Sequence, residues 1–425
     1  MHPVHRCGLL LLVLAVTSGA SAAAQSDPAL ERARKVLRSV PLIDGHNDLA
    51  WEIRNSKTAP RDVAAYDLRG RVPGHTDFER LKAGQVGAQF WSIYVPGEVK
   101  DSGYAKVQLE QFDIARRTIA RYPDQLALAL TADDIEREFK RGRIASLLGM
   151  EGGHVIENSL GALRSYYDLG ARYLTLTHNV TLDWADAAAD SARHGGLTEF
   201  GREVVREMNR IGMLVDLSHV SPGVMSDALD VGQAPVIFSH SSARALTDHW
   251  RNVPDSILKR LAKNGGVVMV TFVSAFVSQE VGDWEKVADE EWKKLEAQVS
   301  DTVERRRLTD EWLAAHPRPK ATLAQVADHI DHVRKVAGAD HVAIGSDFDG
   351  FENPPVGLED VSTFPQLFAE LVRRGWSDED LRKLAGRNLL RVLRTAESTA
   401  TRLQRERQPS TRTIDQLDRP VVSVP

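Results

Sequence analysis

The stretch 144–155, IASLLGMEGGHV, runs seven apolar or small residues together before one acid, Glu151, and two glycines. A strand that faces a core on one side alternates apolar and polar positions. A short unbroken apolar run instead fits a strand covered on both faces, as in a parallel sheet wrapped by helices. Gly152 and Gly153 then permit a tight turn that projects the Glu151 carboxylate from the strand end. An unpaired acid in such surroundings costs several kcal/mol, so this position calls for cations.

Seven further runs share this character, at 40–44, 86–95, 173–177, 213–217, 235–239, 266–272 and 341–346. Amphipathic segments such as 159–169, 200–211 and 323–337 lie between them. Eight βα units predict an α/β fold, a (β/α)8 TIM-type barrel, whose chemistry sits on the loops that follow the strands. A doubly wound open sheet is the competing architecture, but no G-x-G-x-x-G turn follows the first run. Residues 25–395 are expected to form one domain of this kind. Within it, about 277–320 is dense in Glu, Lys, Arg and Trp at helical spacing and reads as a helical insertion between the seventh and eighth strands. That insertion is a solvated hairpin in the plain reading, a lid or dimer contact in the functional one. From Ala396 to the end at 425 the chain is rich in Arg, Ser, Thr, Gln and Pro without apolar periodicity, and is expected to be a disordered tail.

Residues 1–24 read as an export signal: His2, His5 and Arg6 precede the apolar run 9–16, and Ala22-Ala23-Ala24 offers a cleavage site before Gln25. An uncleaved anchor is the alternative, but the run is short for a bilayer. Cleavage removes Cys7, the only cysteine. The mature chain would then be periplasmic or secreted, without disulfides, and any metal would be held by His, Asp and Glu. The formal charge of −5 shows no basic stripe, which argues against nucleic acid and anionic membrane partners and for a small-molecule substrate.

Candidate ligands end separate runs. In an extended segment His46 and Asp48 of PLIDGHNDLAW share a face and can bind one cation together, whereas Asn47 points elsewhere. Asp44 shares that face as a hydrogen-bonding group or a partner of a ligand imidazole. LVDLSHV and VIFSHSS form a near repeat that sets His219 and His240 at equivalent strand ends, a signal for a second cation. Glu151 could serve both cations as a bridge, the arrangement of a two-metal hydrolase. His154 reads as a structural hydrogen-bonding group. In VAIGSDFDG, Asp347 stands where an acid can reach a metal-bound water, while Asp349 shapes the turn with Gly350.

The stretches IDGHNDL, GMEGGH, YLTLTHN, DLSHVS, FSHSSAR, RNVPD, GSDFDG and NLLRV, from about 40 to 393, resemble the membrane (renal-type) dipeptidases, zinc peptidases of family M19 in the amidohydrolase superfamily. The resemblance implies a (β/α)8 barrel that hydrolyses the peptide bond of dipeptides with two Zn2+ per subunit and a hydroxide bridging them; Mn2+ or Co2+ would also suit the ligands. It assigns His46 and Asp48 to one zinc, His219 and His240 to the other, and Glu151 to both. It also assigns His178 to substrate contact and oxyanion stabilisation, Arg251 to the C-terminal carboxylate, and Asp347 to proton transfer. A homodimer is the family default. Two departures stand out: Phe276 falls where mammalian members carry a tyrosine, and the lipid anchor and disulfides of those members have no counterpart here. Other amidohydrolases, acting on lactones, β-lactams or N-acyl amino acids, share the barrel but commonly open with H-x-H and bridge their metals with a carbamylated lysine. A non-catalytic metal-binding scaffold would not need Asp347 and Arg251. Preferred side chains, and acceptance of D-residues or β-lactams, are not fixed by these motifs.

Overall fold

The computed structural model describes residues 27–99 and 103–418; the export signal read at 1–24 and the last residues of the tail, 419–425, lie outside them. Nine parallel strands form in chain order: β1 (Leu42–Asn47), β2 (Val86–Tyr94), β3 (Leu126–Leu128), β4 (Ile144–Glu151), β5 (Ala171–Thr175), β6 (Leu214–Asp216), β7 (Ile237–Phe238), β8 (Val267–Val270) and β9 (Val342–Ile344). Eight of them close into a barrel, because β1 pairs with both β2 and β9, and β2 pairs with β4 from Ala88↔Ala145 to Tyr94↔Glu151. The ninth, β3, was not foreseen. It pairs only with the first three residues of β4, before β5 takes over that strand at Leu148.

The unbroken apolar runs are buried along almost their whole length, as strands between a packed barrel interior and an outer helical layer require. The helices start where their caps stand: Thr198, Ser221 and Thr322 each accept a backbone N–H of the first turn, satisfying donors that have no partner within the helix. Inside the barrel the chain makes room for large residues with glycine. A Cβ on Gly149 would lie inside the Tyr173 ring, so β4 must carry glycine opposite that side chain.

Two helices, Gln279–Gln298 and Thr302–Ala315, fill the path from β8 to β9, with Trp284 and Trp312 packed together at 5.7 Å between ring centres. The tail departs from expectation. The last long helix continues from Asn388 to Glu406 and buries Ala396, Thr399, Ala400 and Leu403. Its stripe at i, i+4 and i+7 is built from alanines and one leucine, too faint among arginines and threonines to read as amphipathic. Beyond it Arg407 pairs with Glu203, and Asp418 accepts from the Thr198 hydroxyl at 2.7 Å and from Phe200 N at 3.0 Å.

Candidate metal centre

All the singled-out side chains but Asp44, His154 and Asp349 come together at the C-terminal mouth of the barrel. His46 lies within β1, and Asp48 stands at the N-cap of the next helix without spending its side chain on the cap. The main chain there is tied to the loop after β9: Asp347 N donates to His46 O at 3.1 Å, and Asp48 N to Phe348 O at 2.9 Å. In consequence His46 Nε2 lies 3.2 Å from Asp48 Oδ2, 3.5 Å from Glu151 Oε2 and 3.9 Å from Asp347 Oδ1. The other Glu151 oxygen, Oε1, lies 2.9 Å from His219 Nε2, 3.3 Å from His240 Nε2 and 4.0 Å from His178 Nε2. His46 with Glu151 and His240, Glu151 with His178 and His219, and His46 with Asp48 and Asp347 each form a trio able to hold a cation. His219 and Asp347 adopt left-handed backbone, with φ of 69° and 70°, a conformation that non-glycine residues keep only where the surroundings enforce it.

The partners of the other ring nitrogens assign the tautomers. Asn179 Oδ1 can only accept, so His219 Nδ1–H donates to it at 3.2 Å. Ser239 gives its hydroxyl proton to Asp216 Oδ2 at 2.5 Å and therefore accepts from His240 Nδ1–H at 2.8 Å. Tyr173 gives its proton to Gly45 O at 3.3 Å and accepts from His46 Nδ1–H at 2.8 Å. Two Nε2 lone pairs, those of His219 and His240, therefore converge on Glu151 Oε1 only 3.0 Å apart, while His46 turns its Nε2 toward Oε2. Acceptors crowded against acceptors repel unless a cation lies among them. His46 Nε2 and Asp48 Oδ1 are buried without a hydrogen-bond partner. This nitrogen and oxygen donor set, free of sulfur, fits zinc, manganese or cobalt.

The electrostatics agree. Burial depresses the pKa of His219 and His240 far below the usual imidazole value, keeping them neutral. Burial also opposes charging His46, yet Tyr173, Glu151 and Asp48 outweigh it and push that pKa well up: this side of the mouth demands positive charge. Burial raises the Asp347 carboxyl far above its ordinary range, and the Asp48 and Glu151 carboxylates add to the rise.

The cavity above these groups encloses about 390 Å³ and is lined by Trp51, Tyr94, His178, Trp250, Arg251, Val273, Phe276 and Phe351 as well as the acids. Arg251 is only 2% exposed. Its terminal nitrogens donate to Ser241 Oγ and His240 O, both at 3.3 Å, its Nε has no partner, and burial lowers its pKa to about 10. Phe276, the departure noted above, lies with its ring 5.3 Å from the guanidinium carbon.

The three remaining residues are structural. His154 donates through Nε2 to Val95 O at 2.9 Å. Asp349 accepts His75 N, while its own N donates to His75 Nδ1 at 3.0 Å. Asp44 likewise knits strands, accepting Ser346 N at 2.7 Å, Ser346 Oγ at 2.6 Å and Gln89 Nε2 at 3.0 Å. Sequence reasoning missed Tyr173, Asp216 and Ser239, which orient the imidazoles, and the aromatic walls. Asp216 had a signal, an acid inside an apolar run three residues before His219, much as Asp44 stands two residues before His46. Tyr173 had none, since its target lies across the barrel.

Residues 30–407 match the profile of the membrane dipeptidases, peptidase family M19. Among solved structures the chain is similar to the probable dipeptidase PvdM from Pseudomonas aeruginosa, with 23% identity over 88% of this chain and 99% of that one and a TM-score of 0.75. It is also similar to a metallopeptidase from Rhodobacter sphaeroides liganded with a phosphinate mimic of L-Ala-D-Ala, with 24% identity, 84% and 99% coverage and a TM-score of 0.69. A third similar structure is the M19 metallopeptidase dipeptidase AC, with 25% identity, 84% and 98% coverage and a TM-score of 0.68.

Proposed function

The chain belongs to the membrane dipeptidase family, peptidase family M19, and from that premise we propose that it is an exported dipeptidase working with two divalent cations, zinc by choice of ligands. One observation carries this reading. The two oxygens of Glu151 face separate sets of imidazole Nε2 atoms, His46 on one side and His219 with His240 on the other. His46 and Asp48 would hold one ion, His219 and His240 the second, and Glu151 both. Bound there, the ions would lower the pKa of water toward neutrality and polarise the scissile carbonyl.

The chain's own groups supply the rest. Asp347, whose burial and neighbouring carboxylates raise its affinity for a proton, takes in its ionised form a proton from the attacking water and passes it to the nitrogen as the C–N bond breaks. His178 borders Glu151 and has a buried Nδ1 without a partner, so it is free to turn toward the oxyanion that develops on the carbonyl. Arg251 pairs with the C-terminal carboxylate of the substrate; being buried, it offers a strong, weakly screened charge. The free amine meets the carboxylates of the centre, so that both substrate ends are read and chain length is limited to two residues. No lysine lines the cavity among the described residues, which disfavours an amidohydrolase of the carbamylated-lysine kind.

The test is hydrolysis of dipeptides, tripeptides and N-acetyl dipeptides by purified protein, before and after chelation and re-addition of Zn2+, Mn2+ or Co2+. Dipeptides alone should be cleaved, and only with metal. Arg251→Ala should raise KM strongly while metal content stays near that of the parent; an equal loss of metal contradicts the assignment. No helix among the described residues is long and apolar enough to cross a membrane. Export predicts a mature N-terminus at Gln25, readable by mass spectrometry.

A further inference from the structure

The walls of the cavity are unlike its floor. The floor carries Asp48, Glu151 and Asp347, and Arg251 is the one cation among the lining residues. Next to Arg251 the chain builds a continuous aromatic surface. Trp250 is 40% exposed where it lines the cavity. Its ring packs on His249 at 4.7 Å and 33°, and His249 packs on Phe276 at 4.5 Å and 31°. The Phe276 ring faces the Arg251 guanidinium, and Val273 extends the apolar lining. Burial and the neighbouring Arg251 push His249 down to about 3, so this wall carries no charge at neutral pH.

We propose that Trp250 and Phe276, with the His249 ring packed between them, form the subsite for the C-terminal side chain of the substrate and select dipeptides whose C-terminal residue is large and apolar. The inference rests on the reading of Arg251 as the carboxylate clamp. The carboxylate and side chain of a C-terminal residue share one Cα, so a carboxylate held on Arg251 brings that side chain against the adjoining wall. A Phe or Leu side chain there removes its own surface and the exposed Trp250 face from water together. An Asp or Lys side chain would lose solvation against rings that offer no counter-charge.

The experiment measures kcat/KM of the metal-loaded enzyme for Ala-Phe, Ala-Leu, Ala-Gly, Ala-Asp and Ala-Lys, for the parent and for Trp250→Ala. Filling an apolar pocket gives roughly ten- to hundredfold discrimination, so Ala-Phe should exceed Ala-Gly by at least about tenfold in the parent. In Trp250→Ala that ratio should fall several-fold, mostly through KM. Hydrolysis of all five at similar rates, or a ratio that Trp250→Ala leaves unchanged, overturns the subsite and spares the dipeptidase reading. Failure to cleave any dipeptide with any of the three metals overturns both.

Discussion

Asp44 and Asp216 are the same device on opposite sides of the barrel mouth, and they differ in what they hold. Each is a buried strand carboxylate accepting the backbone N–H and the hydroxyl of one serine just past the end of a neighbouring strand, Ser346 for Asp44 and Ser239 for Asp216. Ser239 precedes His240 and passes the connection to that imidazole, so the β6–β7 side orients its own imidazole locally. Ser346 leads to no imidazole. On the β1 side the His46 ring is held from across the barrel by Tyr173 of β5, a residue for which β4 yields space at Gly149. One imidazole is thus positioned by adjacent strands, the other by closure of the whole barrel.

Glu151 joins the two sides, so Glu151→Gln should break the comparison outright. We expect loss of both cations and a fall in kcat/KM of about a thousandfold or more, read by metal analysis and steady-state kinetics; full metal occupancy in this variant would refute the bridge. Asp347→Asn should keep its metal and lose about a hundred- to a thousandfold in kcat, because it removes a proton carrier and no imidazole anchor.

The anchors themselves give the sharper test. Tyr173→Phe and Asp216→Asn should each weaken metal affinity by about ten- to a hundredfold, measured by chelator competition, and if the sides are independent their effects should add in the double variant. Gly149→Ala should act like Tyr173→Phe on affinity and also cost stability, about 3 kcal/mol at the upper end for overpacking, visible as a lower Tm.

The smallest effect serves as a control. His329 is fully buried away from both sides, with Nδ1 accepting Ala243 N at 3.0 Å. Burial lowers its pKa to about 4 from the ordinary 6.5. The unfolded state therefore binds the proton first, and stability present above pH 6.5 is lost as the pH falls toward 4. By pH 5 the loss is about 2 kcal/mol from this group. His329→Gln should flatten the acid limb of urea unfolding, and an unchanged slope would contradict the assignment.

The eight barrel strands were legible because strands covered on both faces leave unbroken apolar runs. Their bounds were less so: the run read at 40–44 is a strand from Leu42 to Asn47 that contains His46, and the run at 235–239 keeps only Ile237 and Phe238 as strand. β3, three residues long, carries too little pattern to stand out. The order in the tail was hidden because alanine buries well but contributes little apolar contrast.

What the sequence determined by itself is which apolar runs become barrel strands and which polar residues stand at or just after them, since burial on two faces and the first polar group after a run are local properties. Tertiary structure decided the direction of each lone pair, the aromatic wall beside Arg251 and the hold of Tyr173 on His46, partners 127 positions apart. A hydrogen bond has range and direction only in space, and the separation of non-neighbouring strands is set by barrel closure rather than by any segment of the chain.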